Sequence, residues 1–243
     1  MHLTTLNPDL RKNLRNLVQG YVEHCEFSPH LTARIDFPLY YMGFKYGAPV
    51  FNHRGPGQAD EDRPVIGMIG WNTPGSQLPS KVLLEFIEIL TQHPRLAEQS
   101  VLRMLPVANP VALELDEDAP EREDWDLLAN LADQFKEQAA DGWIEVHATD
   151  VSEFTLTGEI SPALYKALVK SKAVASFRER IGVRFPQAAN LKPVRRDERW
   201  QVQLQVPKEW DDSRAIRAVA RFLARLVHAQ ARIARRQTRA GRR

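Results

Sequence analysis

The first apolar pattern along the chain is helical. From Pro8 to about Glu26, Leu10, Leu14, Leu17, Val18 and Tyr21 recur at three- and four-residue intervals, a spacing that gathers them on one helix face. Asn7 before Pro8 supplies a cap and a first helical residue. "ARIDFPLYYMGFKYGAPVFNHRG" then alternates through two short strands and ends in a Gly/Pro-rich turn, and "QADEDR" is a solvated loop. A buried strand follows at Val65–Gly70. The next helix, Lys81–Gln92, is apolar nearly all round, with Ser80 as its candidate N-cap. "SVLRMLPVANP" gives a strand from Val101 to about Ala108. An acidic loop leads into a helix from about Trp125 to Ala140, and "GWIEVHATD" is a strand ending near His147. Ser161–Pro162 opens another helix that Gly182 stops. "RWQVQLQVP" is a strand, and Asp212 to about Arg235 is a final amphipathic helix.

Single helices between strands make βαβ units. The predicted fold is α/β: a single-domain three-layer sandwich, its mixed sheet mainly parallel, with helices on both faces. The domain spans 1–235, and 236–243 form a disordered basic tail. Such sheets bind ligands beyond the carboxyl ends of their strands. That rule singles out Asn72 to Ser76, Asn109 with Pro110, His147 to Asp150, and Gln205 to Pro207.

Composition narrows the chemistry. The net charge is only +2, so no global field marks a nucleic-acid binder. Cys25 is the only cysteine, which excludes an intramolecular disulfide and a cysteine zinc cluster. Glu23 and Glu26 beside it raise a thiol pKa, so it reads as a small apolar filler. No Gly-x-Gly-x-x-Gly or P-loop follows a strand, so no nucleotide cofactor is implied. No apolar run reaches the ~20 residues of a membrane span, and the chain reads as cytoplasmic. Ser76 lacks the glycines of a nucleophile elbow, since Pro74 and Leu78 stand in their place.

The four strand ends, taken in order, resemble the zinc carboxypeptidase superfamily, including its succinylglutamate desuccinylase/aspartoacylase-like branch. There the first strand ends in Gly-x-His-Gly-x-Glu with two zinc ligands, and the next ends near Asn-Pro, here Asn109–Pro110. A third strand ends in Asp-Leu-His with the last ligand, here Glu145-Val146-His147. The final strand carries a catalytic glutamate shortly before a proline, here "QLQVP". The resemblance extends over about Phe37 to Ala229.

Against that pattern "IGWNTPG" puts Asn72 at the histidine position and Gly75 at the glutamate position. His147 stands as the remaining ligand, and Gln205 replaces the catalytic glutamate. The family's substrate-holding arginine has only Arg122, in "DEDAPERED", as a loose counterpart, and its tyrosine has none. An amide oxygen is a poor zinc ligand beside imidazole. A neutral amide cannot shuttle protons, and general acid–base work is worth about 10²–10⁴-fold in rate.

The resemblance therefore implies a catalytically inactive relative that needs no cofactor. Its polar pocket would be lined by Asn72, Thr73, Ser76, Asn109, Arg122, His147 and Gln205, and would suit a small polar ligand such as a peptide end or an acylated amino acid. Two alternatives stay open. One is an active metallohydrolase with zinc in a rewired site of His53, His147 and Asp150, with Glu153 nearby. The other is an interaction protein whose basic C-terminal helix meets an acidic partner, nucleic acid or an anionic membrane. The plainer reading of those arginines is a helix C-terminus favoured by the macrodipole.

Overall fold

The structure is a computed structural model that describes residues 12–41, 44–57, 63–98, 100–115, 126–161, 164–165, 191–193 and 199–241. Asn7 and Pro8, Arg122 with most of its acidic loop, and most of the helix predicted between Ser161 and Gly182 fall outside them.

Eight strands form one mixed sheet: β1 (Leu31–Tyr41), β2 (Phe44–Arg54), β3 (Val65–Trp71), β4 (Val101–Leu105), β5 (Gly142–Thr149), β6 (Thr155–Ile160), β7 (Leu191–Pro193) and β8 (Trp200–Pro207). Their spatial order is β1-β2-β4-β3-β5-β8-β6-β7. The centre, β4-β3-β5-β8, is parallel. β2 joins it antiparallel at one side and β6 at the other.

Helices cover both faces. On one lie α1 (Lys12–Phe27), α2 (Leu78–Gln92) and α4 (Ser213–Gly241); on the other lies α3 (Asp126–Glu137). Even-numbered residues of the central strands (Ile66, Met68, Ile144, Val146, Val202, Leu204) meet Val82, Leu83, Phe86, Val219 and Leu223 of α2 and α4 in the main core. The odd positions Ile69 and Leu105 meet Ala132 and Phe135 of α3 in a smaller one. At Gly67 a Cβ would crowd Ala139 and Phe135, so the missing side chain lets α3 lie close to β3.

Several boundaries depart from the sequence reading. β1 and β2 are eleven residues each rather than short. α2 begins at Leu78, with Pro79 in its first turn. A proline is at ease there because the first amides of a helix have no partner to lose. Ser80 is therefore inside the helix rather than its cap. β4 stops at Leu105, before Pro106. β6 and β7 lie in stretches with no strand assigned from the pattern. α4 continues past Arg235 to Gly241, and Asp212 caps it, its Oδ1 accepting from the amides of Arg214 at 2.8 Å and Ala215 at 3.0 Å.

Candidate functional site

Strand register assembles the carboxyl ends. Trp71 pairs with His147, His147 with Gln205, and Gln205 with Thr155. One step back, Ile69, Glu145, Gln203 and Thr157 form the next row on the same face, because side chains two apart on a strand share a side. On β5 and β8 this face is polar and half-buried, while the opposite face is fully apolar. His147 and Gln205, singled out by sequence, are thus neighbours.

His147 is held on two sides. Its Nε2 lies 3.0 Å from Oε2 of Glu145, and its ring stacks on the Trp71 indole at 6.0 Å between centroids and 19° between planes. The carboxylate accepts from Nε2–H, which leaves Nδ1 on the far side of the ring. The other oxygen of Glu145 takes Lys136 at 2.6 Å. Lys136, from the last turn of α3, also lies 5.8 Å from the centre of the Trp143 ring. Burial pushes the Glu145 carboxyl up, but the hydrogen bonds from His147 and Lys136, with their charges, bring it below the usual carboxylate range.

The turn after β3 has a backbone explanation. Ser76 N–H donates to the Thr73 carbonyl at 3.0 Å, Pro74 and Gly75 occupy the central positions, and Gly75 has φ 72°. That is a type II turn, which requires a positive φ at its third residue and so favours glycine there. Asn72, only 2% exposed, clamps the turn to α2. Its Nδ2 donates to the Ser76 carbonyl at 3.3 Å, and its Oδ1 accepts from Ser80 Oγ at 2.7 Å. Ser80 Oγ is also 2.7 Å from the Pro106 carbonyl. Asn109 is equally committed: its Oδ1 accepts from Ala112 N–H at 3.0 Å, opening a short 3-10 helix at Ala112–Glu114.

Both asparagines of the expected pocket are therefore fasteners of the mouth, with their amide oxygens turned inward. Thr73, Ser76 and Gln205 remain partly exposed at that end. The Trp71 Nε1, Thr73 Oγ1 and Thr149 Oγ1 atoms are buried without a partner.

The rewired set is not brought together. His53 pairs with Leu102, which pairs with Ile66 at the start of β3, whereas His147 stands opposite Trp71 at its end. Five residues of strand, about 16 Å, separate the two levels. Asp150 is 88% exposed and faces Lys208 at 3.2 Å, and Glu153 is exposed. Among the described residues no three His, Cys, Asp or Glu side chains are grouped to hold a metal, and no helix is long and apolar enough to cross a membrane. His53 is instead fully buried without a hydrogen-bond partner. Burial, and secondarily His30, lowers its pKa to about 4. Cys25 behaves as the sequence implied: burial first, then Glu26, pushes its thiol up to about 12.

Trp71, Lys136 and Thr155 were missed from the sequence. The alternation Gly67, Ile69, Trp71 puts the tryptophan on the site face; Lys136 and Thr155 reach it only through packing and strand pairing.

No protein-family model matches the sequence, and no curated protein does. Solved structures do. A metallo-carboxypeptidase from Burkholderia cenocepacia is similar with a TM-score of 0.57 at 12% identity, over 88% of this chain and 66% of that one. A metallo-carboxypeptidase from Pseudomonas aeruginosa, in complex with (2-guanidinoethylmercapto)succinic acid, gives 0.56 at 11%, over 89% and 66%. Bovine thrombin-activatable fibrinolysis inhibitor gives 0.56 at 11%, over 91% and 97%. At such identities the likeness concerns architecture, and the architecture is zinc-carboxypeptidase-like.

Proposed function

We propose that this protein is a catalytically inactive member of that fold, using the carboxyl-end mouth to bind a small polar ligand. The observation that carries the reading is the Asn72 clamp. At the position where the resemblance calls for a histidine ligand stands a buried amide whose oxygen already accepts from Ser80. Gly75, at the position of the second ligand, has no side chain and serves the turn. Of the three ligand positions only His147 offers a donor, and one imidazole nitrogen does not make the three-residue set of a catalytic zinc. Gln205, at the general-base position, carries a neutral amide that cannot take a proton from water.

Positive support for binding comes from what remains. Trp71, His147, Gln205 and Thr155 form a row of hydrogen-bonding and aromatic groups, and the unpartnered Trp71 Nε1 and Thr73 Oγ1 donors lie at the same end. Such groups suit a peptide end or an acylated amino acid, a ligand class drawn from the resemblance.

The test is zinc content by elemental analysis on protein purified without a metal-affinity tag, incubated with excess zinc and desalted. Expected are near-zero zinc and no hydrolysis of peptide or acyl-amino-acid amides. About one zinc per chain, lost on His147→Ala, overturns the reading.

A further inference from the structure

The sheet ends differently on its two sides. At one edge β7 is three residues long and closes on Pro193, and an edge so short resists further pairing. At the other edge β1 runs for eleven residues. Its first half, Leu31–Asp36, is in regular register with β2, and the irregularity comes only between Asp36 and Leu39.

One hydrogen bond fixes the direction of its backbone groups. The Arg54 amide donates to the His30 carbonyl at 2.8 Å, and hydrogen-bonded pairs alternate along an antiparallel ladder. Thr32, Arg34 and Asp36 therefore bond to β2, while Ala33 and Ile35 turn their amides and carbonyls outward. The Gly55 amide, which donates to the Ser100 carbonyl on the β4 side, fits the same phase. Among the described residues no strand pairs with that outer edge.

The side chains alternate as well. Leu31, Ala33 and Ile35 pack in the apolar cores, whereas Thr32 and Arg34 are exposed on the other face. Arg34 Nε lies 2.6 Å from Oδ2 of Asp36. That contact engages one nitrogen and one oxygen, and both groups retain capacity for a second partner.

We propose that β1 is the seam of a homodimer: a second copy of this chain pairs with it antiparallel about a two-fold axis at Ile35, carrying one sheet through both subunits. In that register Ile35 exchanges both backbone hydrogen bonds with Ile35 of the second copy. Arg34 stands opposite Asp36 of the second copy, and Asp36 opposite its Arg34. Opposite charges so placed attract, and like charges repel. Moving the axis to Arg34 sets that arginine against its own copy, so the charges select the register. Charges, prolines and bulges are also the devices that keep edges unpaired. Here Pro38 lies beyond the regular segment, and the two charges are of opposite sign, an order that the strand's own antiparallel copy complements. The arrangement also brings the start of one strand toward the end of the other. Phe27, 80% exposed shortly before β1, thereby approaches the Leu39–Tyr41 stretch of the second copy, an apolar sequence.

Sedimentation velocity on the full chain, from about 1 to 100 µM, should show monomer giving way to dimer as concentration rises. Arg34→Asp alone and Asp36→Arg alone each set like charges opposite one another, and each should weaken the dimer by at least about ten-fold. Mixing those two variants restores both opposite-charge pairs, so the mixture should dimerise where neither does by itself. Ala33→Pro removes an outward amide that β2 does not use and should give a folded monomer, with circular dichroism checking the fold. Should that variant unfold, the mixing experiment decides alone. The proposal is overturned by a chain that stays monomeric at about 100 µM, by a dimer that the single charge reversals leave as tight as before, or by a mixture no more associated than its components.

Discussion

Single side chains decide how the mouth is built. Ser80 is fully buried and its one hydroxyl hydrogen is shared between the Asn72 amide and the Pro106 carbonyl. Ser80→Ala strands both acceptors, and a buried polar group left unmatched costs about 1–3 kcal/mol. Urea denaturation should show that loss with an unchanged m-value. His53 makes a pH-dependent contribution. Its folded pKa of about 4 lies below the ordinary imidazole value of 6.5, so above pH 6.5 neither state takes the proton. As pH falls from 6.5 toward 4 the unfolded chain is protonated and the folded one is not, and stability declines by roughly 3 kcal/mol in all. His53→Phe should flatten that part of the stability–pH curve; a curve as steep as the parent's would remove His53 as the cause. Residues of this kind were only half legible. His147 and Gln205 could be placed because strand ends are visible in a sequence, but the inward turn of Asn72 depends on where Ser80 sits in three dimensions.

Elements were legible in proportion to how well they are buried. β3 and α2 declare themselves because every interior position of one and most of the other are apolar. β6 does not. Its site-facing positions are Thr155, Thr157 and Glu159, half-exposed and polar, so only Leu156 and Ile160 speak for a strand. A strand flanking a polar mouth resembles a loop in sequence for the same reason that it is useful there. The ends of α2 and α4 show local chemistry at work. Asp212 stands where two amides of α4 need an acceptor, and its negative charge also faces the helix's positive end. Asp212→Ala should cost about 1 kcal/mol, read as a lowered melting temperature with the sheet's circular dichroism intact.

At the scale of the whole molecule, sheet order does what no local pattern announces. Pairing β5 between β3 and β8 makes neighbours of residues more than fifty positions apart, and the antiparallel pairing of β2 with β4 sends His53 to the far end of the strands. The α/β class, parallel centre and helices on both faces followed from the alternation of elements. The register, and so the membership of the site, did not. The distribution of charge likewise escapes any global count: residues 1–212 carry a net −8 and residues 213–243 a net +10, which sum to +2.

The type II turn at Thr73–Ser76 bears on history as well as on form. Under the proposed reading, a return to zinc chemistry needs at least a histidine at 72 and a glutamate at 75. A glutamate at 75 arrives on a backbone whose φ of 72° is unfavourable to any residue with a Cβ. A histidine at 72 removes the Oδ1 that accepts from Ser80 and the Nδ2 that donates to the Ser76 carbonyl. Whichever substitution comes first weakens the protein before any metal is gained, so the turn acts as an evolutionary ratchet. On that reading, selection can refine a ligand site at the mouth more readily than it can build a zinc site there.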